Sequence, residues 1–163
     1  LATPVFLSLY AENDLRLDKY FAETDEKGFR KNKKAGSNNY LCTFRVGEIY
    51  LTAAEAAARL GELSQARTRL LELMRKRYAP EAYEAKSVVV NAMDKEALVQ
   101  EILDERAREL AFEGHRWFDL RRSTRPRLEK VLDGTRYVLE ENDARYTLAI
   151  PKEAIEANPG LLN

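Results

Sequence analysis

The stretch Val46–Met74, VGEIYLTAAEAAARLGELSQARTRLLELM, decides the fold. Val46, Ile49, Tyr50, Ala53, Ala54, Ala57 and Leu60 recur at steps of three and four, which is the repeat of one helix face. Gly61 is placed to end this helix, because glycine takes the left-handed backbone of a helix C-terminus without steric cost. A second stripe follows at once: Leu63, Ala66, Leu70, Leu73 and Met74. Two helices joined by so short a turn lie antiparallel and bury their stripes against each other.

The pair fits the spacing of a tetratricopeptide unit: small residues on the first helix, a glycine at the turn, then A-x3-F on the second. Ala53, Ala54 and Ala57 give the small face, Gly61 the turn, and Ala66-x3-Leu70 the second-helix pair. The match covers one unit, and an ordinary helical hairpin is the competing description.

Outward from this pair the pattern changes. Residues 78–93, YAPEAYEAKSVVVNAM, break the helical period. Pro80 and the run Ser87-Val88-Val89-Val90 read as an irregular insert with a short extended piece. A third helix starts at Asp94, a natural N-cap, with Met93 and Leu98 placed as a hydrophobic staple. Its core face is Val99, Leu103, Ala107, Leu110 and Ala111, and Gly114 stops it. Residues 123–147 read as loop with one short hairpin around Asp133-Gly134. One helical turn follows Pro151, closed by Asn158-Pro159-Gly160. Upstream, residues 1–10 are apolar and suit a strand or a helix end, and the polar residues 23–39 read as loop.

Bulk properties narrow the classes. The chain has 163 residues, 45% hydrophobic and 33% charged, with a net charge of zero. That composition supports a packed core and argues against a nucleic-acid protein, which carries a basic excess. Cys42 is the only cysteine, so no internal disulfide forms. No run approaches the roughly 20 apolar residues of a membrane-spanning helix.

The stretch Glu105–Arg122, ERARELAFEGHRWFDLRR, concentrates four carboxylates, a series of arginines, the only histidine and the only tryptophan. A di-iron site needs Glu-x-x-His on facing helices; here Glu113-x-His115 brackets a glycine. Glu109 and Glu113 share a helix face, which suits either a divalent cation or a carboxylate-based hydrolase. Arg106 on that face opposes the cation. Arginine neighbours lower carboxylate pKa values, whereas a general acid needs its pKa raised. The reading that remains is an ion network, with Arg106 and Glu109 as a buried pair, fixing the third helix to the loop after it. No catalytic, metal or cofactor assignment follows.

Three blocks carry a resemblance: RVGEIYLTAAEAAARLG (45–61), ILDERARELAFEGHRWFDLRR (102–122) and LAIPKEAIEANPGLL (148–162), preceded by Asp14-Leu15-Arg16. Their order and spacing resemble the C-terminal part of the SusD/RagB family of outer-membrane nutrient-binding lipoproteins. Ala107 stands where that family often has arginine or another polar residue, and Ala149 replaces the first proline of its Pro-Ile-Pro segment. The chain stops at Asn163, before the expected Gln-Asn-Pro-Gly-Tyr-like tail.

The resemblance implies a mainly α-helical fold with tetratricopeptide-like units, further helices and long irregular loops. Residues 1–163 are then a single C-terminal domain of a longer protein, with the helix pair at 46–77 and the third helix and signature at 94–122. It implies a binding protein rather than an enzyme, with no cofactor. The ligand is a glycan or other nutrient, passed to a TonB-dependent, SusC-like transporter. The membrane is met only through a lipid anchor outside these residues. An alternative from another class is a tetratricopeptide-like scaffold for protein partners without sugar binding. Glu105, Arg106, Glu109, Glu113, Arg116 and Asp119 become a structural signature tying the third helix to Trp117–Leu120. Trp117 is read as a core anchor. Tyr78 and Tyr83, beside Arg75 and Arg77, are the local candidates for ligand contact, with the main site outside these residues.

Overall fold

The computed structural model of the chain describes residues 1–34, 45–132, 134–158 and 160. Cys42, Asp133 and Pro159 therefore lie outside the described residues, as does the end of the polar stretch 23–39. The chain divides into two compact units, Leu1–Arg116 and Trp117–Asn163.

Unit 1 opens with the short helix α1 (Pro4–Leu7), capped by the Thr3 side chain, and α2 (Arg16–Tyr20). Strands β1 (Phe21–Thr24) and β2 (Arg30–Asn32) pair antiparallel. The segment read as loop from residue 23 thus begins as a hairpin. Ala2 bridges to Arg30, so the apolar N-terminus contributes both an extended residue and a helix.

Helices α3 (Val46–Leu60) and α4 (Leu63–Met74) form the expected pair. Gly61 takes φ +86°. Its N–H donates to Ala58 O, and the Glu62 N–H reaches back to Ala57 O, a Schellman closure. The buried face of α3 differs from the one read in the sequence. Leu51, Ala54, Ala57 and Ala58 face the core, whereas Val46, Ile49 and Leu60 are exposed. Alanines surround so much of this helix that two apolar faces exist, and periodicity alone cannot choose between them.

Residues 80–92 are helix α5 (Pro80–Ala92), not an irregular insert. Pro80 sits at the first helical position, where its missing N–H costs nothing. Val90 is buried in the core shared by α3 and α4, and this packing overrides the low helix propensity of Val88–Val90. Helix α6 (Lys95–Glu109) starts as read: the Asp94 side chain accepts from Ala97 N–H at 2.9 Å. Leu98 is buried and Met93 packs against the same cluster, as the staple requires. Leu98 and Ile102 complete this core with Leu51, Leu70 and Met74.

After α6 the chain turns sharply, with Phe112 at φ +63° and Gly114 at φ +85°. A bulky aromatic at positive φ is strained. Here the Phe112 ring is held edge-on to Phe6 and Phe21, at 5.7 and 6.0 Å. These rings adjoin a second core of Ala2, Tyr10, Phe21 and Ala111. The segment expected to be loop then forms α7 (His115–Arg122), which runs across the division between the units.

Unit 2 continues with the antiparallel hairpin β3 (Leu128–Leu132) and β4 (Thr135–Leu139). Gly134 in its turn has φ +76°. A 3-10 turn (Ala144–Tyr146) and α8 (Lys152–Ala157) follow. The Trp117 ring stacks on buried Tyr146, centroids 5.2 Å apart and 9° from parallel. No helix of the described residues is long and apolar enough to cross a membrane.

Candidate functional site

The charged block of α6 does form one network in unit 1, but with partners distant in sequence. The segment before α2 is strapped to the link between α4 and α5: Leu15 N–H donates to Arg77 O, and Ala79 N–H to Asn13 O. This fixes Asp14, whose carboxylate takes Arg16 Nε at 2.9 Å and Nη2 at 2.7 Å. The clamped guanidinium then reaches α6. Arg16 Nη1 donates to Glu105 Oε1 at 2.7 Å and to Glu109 Oε2 at 3.1 Å.

Glu105 is fully buried. Its second oxygen accepts from Arg108 Nε at 2.8 Å and from the Tyr78 hydroxyl at 3.0 Å. Burial pushes the Glu105 carboxyl up, but Arg16 and Arg108 outweigh it and hold the pKa at about 2. Glu109 is 0% exposed. Its Oε1 accepts from Arg45 Nη2 at 2.7 Å and Arg77 Nη2 at 3.0 Å, and its Oε2 from Arg77 Nε at 2.8 Å as well as from Arg16. Burial again acts upward, and Arg77, Arg16 and Arg45 together leave the group below the ordinary glutamate value.

The end of α6 is closed by cations. Arg45 and Lys34 both donate to Glu109 O and both pair with Glu113. Side chains of this charge satisfy the last carbonyls and suit the negative end of the helix dipole. Buried charges of this kind persist only when paired and hydrogen-bonded throughout, and the carboxylates of Asp14, Glu105 and Glu109 meet that condition.

The signature residues therefore split. Glu105, Glu109 and Glu113 belong to the network. The expected pair of Arg106 with Glu109 gives way to Arg16, Arg45 and Arg77 around Glu109, while Arg106 Nη1 donates to Thr52 Oγ1 on α3 at 3.1 Å. Arg116 Nη1 approaches Leu103 O at 3.5 Å. Asp119, in unit 2, holds Arg122 at 2.6 Å. Glu105 and Glu109 are thus tied to the N-terminal Asp14–Arg16 segment, and Glu109 also to Arg77.

Tyr78, a candidate for ligand contact, lies inside the protein instead. It is 2% exposed, its hydroxyl is shared between Arg16 and Glu105, and burial pushes that hydroxyl well above the usual tyrosine value. Tyr83, on α5, is half-buried and packs against the α3–α4 core. The tyrosines do not form a joint platform. Arg77, Arg45 and Lys34 also belong to the network, and local spacing could not reveal them, since each lies far along the chain from α6. Asp14-x-Arg16 was the one visible signal.

This arrangement can hold elements together, and it leaves little for chemistry. Each oxygen of Glu109 already accepts from two guanidinium donors. A carboxylate so held does not serve as a general acid. A divalent cation there would have to displace arginines.

The SusD family model matches residues 7–163. SusD-like protein P38 of Formosa agariphila is 31% identical over 115 residues, covering 70% of this chain and 22% of that protein. A SusD-like carbohydrate binding protein of Bacteroides vulgatus superimposes with a TM-score of 0.64 at 19% identity, over 96% of this chain and 40% of that one. The chain thus spans less than half the length of either relative. The family match covers α3–α4, the charged block of α6–α7 and the C-terminal helix alike, and the chain belongs to the SusD family.

Proposed function

We propose that the protein binds glycans at the outer face of an outer membrane and hands them to a TonB-dependent, SusC-like transporter. The observation that carries this reading is family membership across nearly the whole chain. The fold shared with a carbohydrate binding protein of Bacteroides vulgatus supports it. In this role the charged block of α6 is scaffolding, and Tyr83 is the member of the tyrosine pair that remains open to a ligand. Attachment to the membrane is through a lipid anchor outside these residues.

Calorimetric titration with a panel of neutral and acidic oligosaccharides tests the reading. Saturable binding of at least one class is expected, and no heat with any member of the panel would overturn it. A second reading, a scaffold for protein partners, draws on the exposed apolar residues Val46, Ile49 and Leu60 of α3. It predicts a stoichiometric protein complex and no sugar binding.

A further inference from the structure

The hairpin of unit 2 carries a surface that the charged core does not use. Leu128 pairs with Leu139, and Lys130 with Tyr137. Side chains alternate along a strand, so these four stand on one face. With Glu129, Val138 and Arg145 they line a shallow depression of about 230 Å3. Tyr137 is 56% exposed, and its ring and hydroxyl have no partner among the described residues. Lys130 is exposed and has no carboxylate partner among the described residues.

The neighbouring charges are committed. Glu129 is held by Arg127 at 2.9 Å and Arg136 at 3.2 Å. Arg145 is held by Asp143 at 2.6 Å and donates to Val138 O at 2.9 Å. What the depression offers is an apolar floor, one exposed aromatic ring and, beside it, an ammonium with no carboxylate partner among the described residues. An aromatic ring takes the C–H face of a sugar, and an ammonium takes an anion. Directly opposed side chains on paired strands are about 5 Å apart at Cβ, the width of one pyranose ring.

We propose that this face of the β3–β4 hairpin binds a pyranose bearing an anionic group, a carboxylate or a sulfate ester. Tyr137 stacks on the ring and Lys130 pairs with the anion. The inference rests on the glycan-binding reading and narrows it to a charged sugar class.

The test is titration of the whole chain with tetragalacturonate, a κ-carrageenan tetrasaccharide and uncharged maltotetraose. The first two separate carboxylate from sulfate. Wild type is expected to bind at least one charged sugar more tightly than maltotetraose, and less tightly as salt is raised. Tyr137→Ala weakens that binding about tenfold, or about 1.4 kcal/mol. Lys130→Gln lowers the affinity for the charged sugar to that for maltotetraose. Both positions are exposed, and circular dichroism checks that the variants fold. Charged sugars bound no better than maltotetraose, or bound equally by wild type and both variants, would overturn the inference while leaving glycan binding intact. Silence with all three sugars would remove both.

Discussion

Glu109 Oε1 lies 2.8 Å from the point where a Cβ on Gly47 would stand. The first turn of α3 and the end of α6 meet there with only a hydrogen to separate them. Arg45, two residues before Gly47, reaches the same oxygen at 2.7 Å. One short segment thus supplies both the space for the carboxylate and a charge that holds it.

This contact reverses an ordinary expectation. Glycine inside a helix costs roughly 0.5–1 kcal/mol relative to alanine, so Gly47→Ala should stabilise an unconstrained helix. Here the methyl group collides with a carboxylate fixed by three arginines, and overpacking of this kind costs about 1–3 kcal/mol. Urea denaturation of Gly47→Ala should show a net loss. A gain would mean that Glu109 is not held as described.

Acid should weaken the network in a defined window. The Glu105 pKa falls from its ordinary 4.5 to about 2 on folding. A depressed pKa gives stability that is complete above the unfolded value and disappears as pH falls through the folded value. Stability should therefore decline between pH 4.5 and about pH 2, by on the order of 3 kcal/mol from this group. Urea midpoints measured across that range check it. Glu105→Gln should be less stable at neutral pH and show a shallower pH dependence, and an unchanged slope would contradict the assignment.

The start of α6 makes a smaller, local prediction. Asp94 accepts the Ala97 N–H at 2.9 Å as the N-cap. Asp94→Ala should cost about 1 kcal/mol, and Asp94→Asn should keep most of the cap. Thermal denaturation of the two variants distinguishes them, and equal losses would mean that the cap is not the source of the stability.

Residues whose partners are close in sequence were the legible ones. Gly61 and Asp94 marked helix ends correctly because the signals are local: a left-handed turn and a side-chain cap. The turn at Gly134 was equally local. The inward face of α3 was not legible, since Val46, Ile49 and Leu60 are as apolar as Leu51 and Ala58. Helix α5 was hidden because β-branched Val88–Val90 favour strand, and only the burial of Val90 against α3 and α4 settles the matter. The charged block of α6 announced itself by density. Its partners did not, because Arg16 and Glu105 lie 89 residues apart and Arg77 and Glu109 lie 32 apart. Arg106, the near neighbour, was the natural but mistaken choice. The burial of Tyr78 is not legible either, because it depends on the same distant Arg16–Glu105 pair.

If the charged block is buried architecture and not a ligand site, Glu109→Ala should unfold the protein more readily without touching ligand affinity. Removing one member of a buried, fully paired group strands the others and costs roughly 3–5 kcal/mol, whereas an exposed pair is worth only about 0.2–1 kcal/mol. Urea denaturation and calorimetric glycan titration of the same preparations give both quantities. The expected result is a loss of stability in the higher range, with affinity per folded molecule unchanged. A stability within 1 kcal/mol of wild type together with lost binding would contradict it, and would place Glu109 against the ligand.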